Sequence, residues 1–255
     1  MNPKLANLFR QLFCPQSVYE RRVATSKYWA CEFKNTVQYG PFKGMRLAVN
    51  PVWSQGDLAP KLFGLYESQV LHHLSALSSN KSTLIDCGAA DGYYVIGALY
   101  SGMFDYCIAY ETSPESQKVI ADLAVQHDVV QRLTVFAEAS AQTLLELDQN
   151  LLQDSVLLLD IEGGEFDLCS ESVIQHLKKT PCIIELHPWL VDNGEEKECL
   201  LESKFLKTHQ VKRLQYGARD LSRYPELSRV CDDDRWLIAS EGRGRAMEWM
   251  VCVPK

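Results

Sequence analysis

The sequence predicts an α/β fold, a doubly wound and mostly parallel sheet finished by antiparallel C-terminal strands. Three observations carry this. Short apolar runs alternate five times with helical patterns between Thr83 and His209. The runs, Val156-Leu157-Leu158-Leu159 above all, lack polar alternation, as strands covered on both faces do. Acids and glycines gather where these runs end, and that edge is where open α/β sheets take their ligands. The length of 255 residues suits one large domain or two small ones, with enough apolar content to bury a full core.

In chain order, Leu5, Leu8, Phe9, Leu12 and Phe13 recur at helical spacing with Lys4 and Arg10 among them. That pattern reads as a short amphipathic helix, because a secretory segment would be apolar without a break. Tyr28 to Val49 favours strands and is broken at Gly40-Pro41 and Gly44, the pattern of a hairpin. Asn50-Pro51 and Gln55-Gly56-Asp57 supply turns. Residues 1–60 therefore form an N-terminal extension, a helix plus a hairpin, ahead of the ligand-binding domain at 61–255. Ala59 to Leu77 repeats apolar residues at steps of three and four, one amphipathic helix.

The alternation then begins. Strands are predicted at Thr83–Cys87, Tyr106–Tyr110, Arg132–Phe136, Val156–Ile161 and Cys182–Leu186. Helices follow them at Tyr93–Tyr100, Pro114–Gln126, Gln142–Leu147, Glu165–Leu177 and Glu195–His209. Thr112-Ser113-Pro114-Glu115 has the chemistry of a helix start. Val211–Tyr216, Arg235–Ala239 and Trp249–Val253 read as the closing antiparallel strands, and Gly242-Arg243-Gly244 as a hairpin turn.

The net charge of -7 is unevenly placed. Residues 1–60 hold 8 basic and 3 acidic side chains, 61–203 hold 7 and 23, and 204–255 hold 11 and 7. An acidic middle between basic ends suits a cationic ligand in the centre and an anionic partner at the flanks, and it argues against nucleic acid. No apolar run reaches the roughly 20 residues of a membrane span. The nine cysteines are odd in number and form no C-x-x-C pair, which points to free thiols and a cytoplasmic location.

Four segments carry chemistry. Leu84-Ile85-Asp86-Cys87-Gly88-Ala89-Ala90-Asp91-Gly92-Tyr93 is a strand ending in a carboxylate, a turn whose glycines admit a ligand to the backbone, and a helix start. Its glycines are four apart, and Asp86 would repel a pyrophosphate, so it is not the G-x-G-x-x-G turn of a nicotinamide oxidoreductase. Tyr110-Glu111 ends the next strand, 25 residues after Asp86, where an acid can accept from both hydroxyls of a ribose. Asp160-Ile161-Glu162-Gly163-Gly164-Glu165 and Glu185-Leu186-His187-Pro188 end the fourth and fifth strands, so carboxylates and an imidazole converge on one edge.

These segments, with Gly64-Leu65-Tyr66-Glu67 and Ala139-Ser140, resemble the class I S-adenosylmethionine-dependent methyltransferases, and among them the FkbM-type family. The likeness runs from about Leu65 to His187. It implies a Rossmann-like sheet and S-adenosylmethionine as cofactor, held by Glu67, Asp86, Gly88, Ala89, Gly92, Tyr93, Glu111, Ser140 and Asp160. Asp86, Gly88 and Gly92 would line its methionine end, Glu111 its ribose and Ser140 its adenine. The implied reaction is O-methylation of a small-molecule, sugar or glycan hydroxyl, with residues 1–60 helping to shape the acceptor pocket. His187 is the expected base, oriented by Asp160 or Glu185 with Glu162 beside them. An imidazole and a carboxylate suffice at neutral pH, so no metal is expected, although the same residues could hold a divalent one. A nicotinamide-dependent oxidoreductase on a similar sheet, and a cofactor- or partner-binding module without catalysis, are the rival readings.

Overall fold

The computed structural model describes residues 17–215 and 217–255; the helix expected near Leu5–Phe13 lies outside them. Seven strands form one sheet: β1 (Thr83–Cys87), β2 (Tyr106–Tyr110), β3 (Leu133–Phe136), β4 (Ser155–Leu159), β5 (Cys182–Leu186), β6 (His209–Gln215) and β7 (Glu248–Pro254). Their order is β3-β2-β1-β4-β5-β7-β6. β1 to β5 are parallel, and β7 enters antiparallel between β5 and β6. The sheet is therefore mixed and mostly parallel, as expected. Its order reverses at β1, which pairs with both β2 and β4 and so opens a crevice at the strands' carboxyl ends.

Alternate side chains of the central strands feed two apolar layers. Val156 and Leu158 of β4 join the first, and Leu157 and Leu159 the second. The first layer is covered by α1 (Val18–Glu32), α2 (Leu58–Leu62), α3 (Ser68–Leu77), α4 (Tyr93–Tyr100), α5 (Pro114–Gln126) and α11 (Asp232–Ala239). The second is covered by α6 (Ala141–Leu145), α7 (Gln149–Gln153), α8 (Glu165–Leu168), α9 (Glu171–His176) and α10 (Gly194–Phe205). Trp29, Val37, Phe42 and Met45 lie in the first layer, so the described part of the N-terminal sixty residues shares the core of the sheet.

Some expected elements differ. Tyr28 falls inside α1, and the expected hairpin reduces to one antiparallel bridge between Thr36 and Arg46. The helix expected over 59–77 is two helices, because Gly64 (φ +61°) and Glu67 (φ 43°) take left-handed backbone and turn the chain. Arg235–Ala239 is helix rather than strand: Asp232, Asp233 and Asp234 occupy its first turn, where the helix dipole favours acids. Gly242-Arg243-Gly244 is not a hairpin turn. It belongs to the connection from α11 to β7, and Arg243 is turned into the acidic edge.

Candidate active site

The loop after β1 folds onto the end of β2. Gly88 and Ala89 donate their N–H groups to the Tyr110 carbonyl at 2.9 and 3.1 Å. Gly88 has φ +93°, and a Cβ there would stand 1.7 Å from the Asp160 carbonyl oxygen, so glycine is required where the loop crosses the end of β4. Glu111, the first residue beyond β2, is buried, and its carboxylate accepts from the N–H groups of Ala90 (2.7 Å) and Ser113 (2.8 Å). Ser140 caps α6, exchanging hydrogen bonds with Thr143.

These residues open on a cleft of about 740 Å³. Gly88, Ala90, Glu111 and Ser140 line one part of it, and Asp160, Glu162 and Glu185 another. Trp53 and Asp57 from the N-terminal side, and Glu241 and Arg243 from the loop before β7, complete the walls. Asp91 places Trp53 there, since its carboxylate accepts from the N–H groups of Val52 (3.0 Å) and Trp53 (3.1 Å).

At the ends of β4 and β5 the acids surround one imidazole. His187 Nε2 lies 3.7 Å from Asp160 Oδ1, 3.4 Å from Glu162 Oε2 and 3.6 Å from Glu185 Oε2. Its ring is 1% exposed, against 30% for the Asp160 side chain and 58% for Glu162. Neither ring nitrogen makes a hydrogen bond, and Asp160 Oδ1 and Asp86 Oδ2 are likewise buried without a donor. Glu165 shapes this edge from below: its carboxylate accepts from the N–H groups of Gly163 (2.8 Å) and His187 (2.7 Å). That turn holds Glu162 at φ 51°, a left-handed backbone that non-glycine residues adopt only when their surroundings impose it.

Arg243 is the counter-charge. Its guanidinium binds Glu67, Glu185 and, at 2.9 Å, Glu241. Burial opposes the charge of Arg243, yet Glu67 and Glu185 outweigh it and raise its pKa. Burial pushes Glu67 up to about 7, with Arg243 opposing, and pushes Glu185 up to about 11, with Asp160 and Glu67 adding their repulsion. Burial, then Asp160 and Glu111, hold Asp86 well above the usual carboxylate range. For His187 burial disfavours the charged ring, but Glu165, Asp160 and Glu162 prevail and raise its pKa.

Of the residues expected from the sequence, Gly88, Glu111, Ser140, Asp160, Glu162 and Glu185 line the cleft. Glu67, Asp86, Ala89, Gly92, Tyr93 and His187 are not among its lining residues. Tyr93 packs among Phe42, Tyr66 and Tyr94, Gly92 starts α4, and Glu67 accepts from the Tyr94 hydroxyl and Arg243. Sequence reasoning missed Arg243, whose flanking glycines look like a turn. The one available signal was a pair of arginines, Arg243 and Arg245, following an acid, Glu241, in a basic segment after an acidic middle.

No protein-family model matches the chain, and no curated protein matches it. Among solved structures the chain is similar to the precorrin-6y C5,15-methyltransferase of Geobacter metallireducens. The identity is 12% over 83% of this chain and 94% of that one, with a TM-score of 0.49. It is also similar to the O-methyltransferase of Bacillus cereus in complex with SAH, with 10% identity over 99% of this chain and 97% of that one and a TM-score of 0.46.

Proposed function

We propose that this chain is an S-adenosylmethionine-dependent methyltransferase that acts on the oxygen of a small-molecule, sugar or glycan hydroxyl. One observation carries the reading: the glycine loop with Glu111 and the acidic edge of β4 and β5 face the same cleft, at the point where the sheet order reverses. A volume of about 740 Å³ is of the size that holds a nucleoside-sized cofactor beside a small acceptor.

The residues fit that cofactor. Glu111 keeps lone pairs free beyond its two backbone donors, enough to accept from two ribose hydroxyls. Tyr110 and Ser140 line the side on which a base would lie. The excess of carboxylates favours a sulfonium and disfavours the pyrophosphate of a dinucleotide. When bound, S-adenosylmethionine supplies a methyl carbon activated by its sulfonium, which leaves as a neutral thioether.

The chain's own work is then to align an acceptor, exclude water and take a proton. His187 lies behind the carboxylates, so in this reading it acts through them, and Glu162, more than half exposed on the cleft wall, receives the hydroxyl proton. Trp53 and Asp57, with Glu241 and Arg243, shape the acceptor pocket. Arg243 is already engaged by three carboxylates, which favours a neutral acceptor over the anionic one that the basic flanks suggest.

Calorimetry with S-adenosylmethionine and its demethylated product tests this. Wild-type protein is expected to bind both, and Glu111→Ala to lose about 1–3 kcal/mol of affinity, the range for a hydrogen bond to a charged group. Glu162→Gln should bind normally and transfer methyl groups about 100-fold more slowly. An absence of heat with wild-type protein overturns the reading. Binding without transfer to any hydroxyl acceptor in a broad panel would leave a cofactor-binding module.

A further inference from the structure

We propose that Asp160, Glu185 and His187 hold a divalent cation on the wall of the cleft. The proposal rests on the methyltransferase reading and gives its acidic edge a means of activating the acceptor.

The geometry is that of a cation site. One ligand atom from each of the three residues lies within 4.8 Å of the others. His187 Nε2 stands 3.7 Å from Asp160 Oδ1 and 3.6 Å from Glu185 Oε2. These separations are too long for hydrogen bonds, which span about 2.7–3.2 Å. Two ligands that share one ion, each at roughly 2.1–2.2 Å and about 90–110° apart, stand about 3.0–3.6 Å from one another. The two spacings from His187 need at most a few tenths of an ångström of closure, and the Asp160 and Glu185 ligand atoms lie within 4.8 Å of each other.

The second observation is independent of the acids. His187 is almost wholly buried, yet its Nε2 is aimed among three carboxylates and makes no hydrogen bond; Asp160 Oδ1, beside it, also lacks a donor. A buried polar atom without a partner is costly, and a cation bound between these two atoms removes both deficits. Arg243 does not meet this need, because its contacts go to Glu67, Glu241 and the other oxygen of Glu185. Glu165 supports the site from behind, accepting the His187 backbone N–H.

Two carboxylates and one imidazole suit manganese and related divalent ions, and calcium less. Asp160, Glu185 and the neighbouring Glu162 line the cleft, so an ion held here faces the acceptor. Its charge lowers the pKa of a coordinated hydroxyl. The O–H proton passes to Glu162, the oxygen's electron pair forms the new C–O bond, and the electrons of the broken C–S bond remain on sulfur.

The test is titration of chelator-treated, dialysed full-length protein with Mn²⁺, followed by the loss of the free-ion electron paramagnetic resonance signal. Wild-type protein is expected to bind one Mn²⁺ per chain, and Asp160→Asn and Glu185→Gln to bind at least tenfold more weakly. Should Glu185→Gln fail to fold, Asp160→Asn carries the test, since the Asp160 side chain is partly exposed and the change only replaces one carboxylate oxygen with an amide nitrogen. Glu111→Ala should bind Mn²⁺ as wild type does while losing S-adenosylmethionine. The two readings therefore fail separately: Mn²⁺ binding without cofactor binding overturns the methyltransferase alone. Absence of stoichiometric Mn²⁺ binding by the wild type, or equal affinity in a folded Asp160→Asn protein, overturns the cation site.

Discussion

Arg243 draws together carboxylates from three distant parts of the chain: Glu67 at the start of α3, Glu185 at the end of β5, and Glu241 two residues before it. Removing one member of such a buried group leaves the others uncompensated. Arg243→Met is therefore expected to cost about 3–5 kcal/mol at neutral pH, read as a lower urea midpoint. Recovery of stability in mild acid, as the stranded carboxylates take up protons, is part of the same expectation; an unchanged midpoint would show that the group contributes nothing. This residue also marks the limit of what the sequence discloses. Asp86 and Glu111 were legible because each sits at or just beyond a strand end, a position read from local pattern alone. Arg243 meets Glu67 across 176 residues, and no local pattern encodes that meeting.

At the scale of elements, β1, β2, β5, α4 and α5 lie where the apolar periodicity and turn residues put them, because their local preferences agree with the fold. The exceptions have local causes. Trp236-Leu237-Ile238 is a short apolar run that suits strand or helix equally, and the three aspartates before it decide for helix. The helix expected over 165–177 is broken by Ser170, which caps α9 by accepting from Val173 N–H.

The register of β6 depends on His209, fully buried at its first residue, with Nε2 3.1 Å from the Thr180 carbonyl and Nδ1 2.7 Å from Thr208 Oγ1. Burial lowers its pKa below the ordinary 6.5, with the contact to Thr180 opposing. The folded protein thus holds this proton less tightly than the unfolded chain. Its contribution to stability is complete above pH 6.5 and is lost as pH falls through the lowered folded value. Urea midpoints at pH 7.5 and 5.5 should diverge more for wild type than for His209→Asn. Equal divergence would remove the imidazole from the account.

For the molecule as a whole, the described part of the N-terminal sixty residues is not an appendage. Trp29 of α1 packs edge-on against Phe63 at a centroid distance of 5.0 Å, within the same apolar layer as Leu84 and Val156 of the sheet. Trp29→Ala is accordingly expected to cost about 3–5 kcal/mol and to lower one unfolding transition, seen alike by near-ultraviolet and far-ultraviolet dichroism. Two separated transitions would instead make the N-terminal sixty residues an independent unit. No helix among the described residues is long and apolar enough to cross a membrane.

The placement of β7 bears on how the molecule is made. β7, the latest of the seven strands in chain order, is an interior one, hydrogen-bonded to β5 on one side and β6 on the other. At about 5–20 residues per second, the 61 residues between the end of β5 and the start of β7 take several seconds to synthesise. Throughout that interval the open flank of β5 has no partner, and β6 has no place to dock. A nascent chain stalled or cut before Glu248 would carry a bare strand edge, the feature by which sheets recruit other chains. Quality control of this protein therefore turns on the arrival of β7.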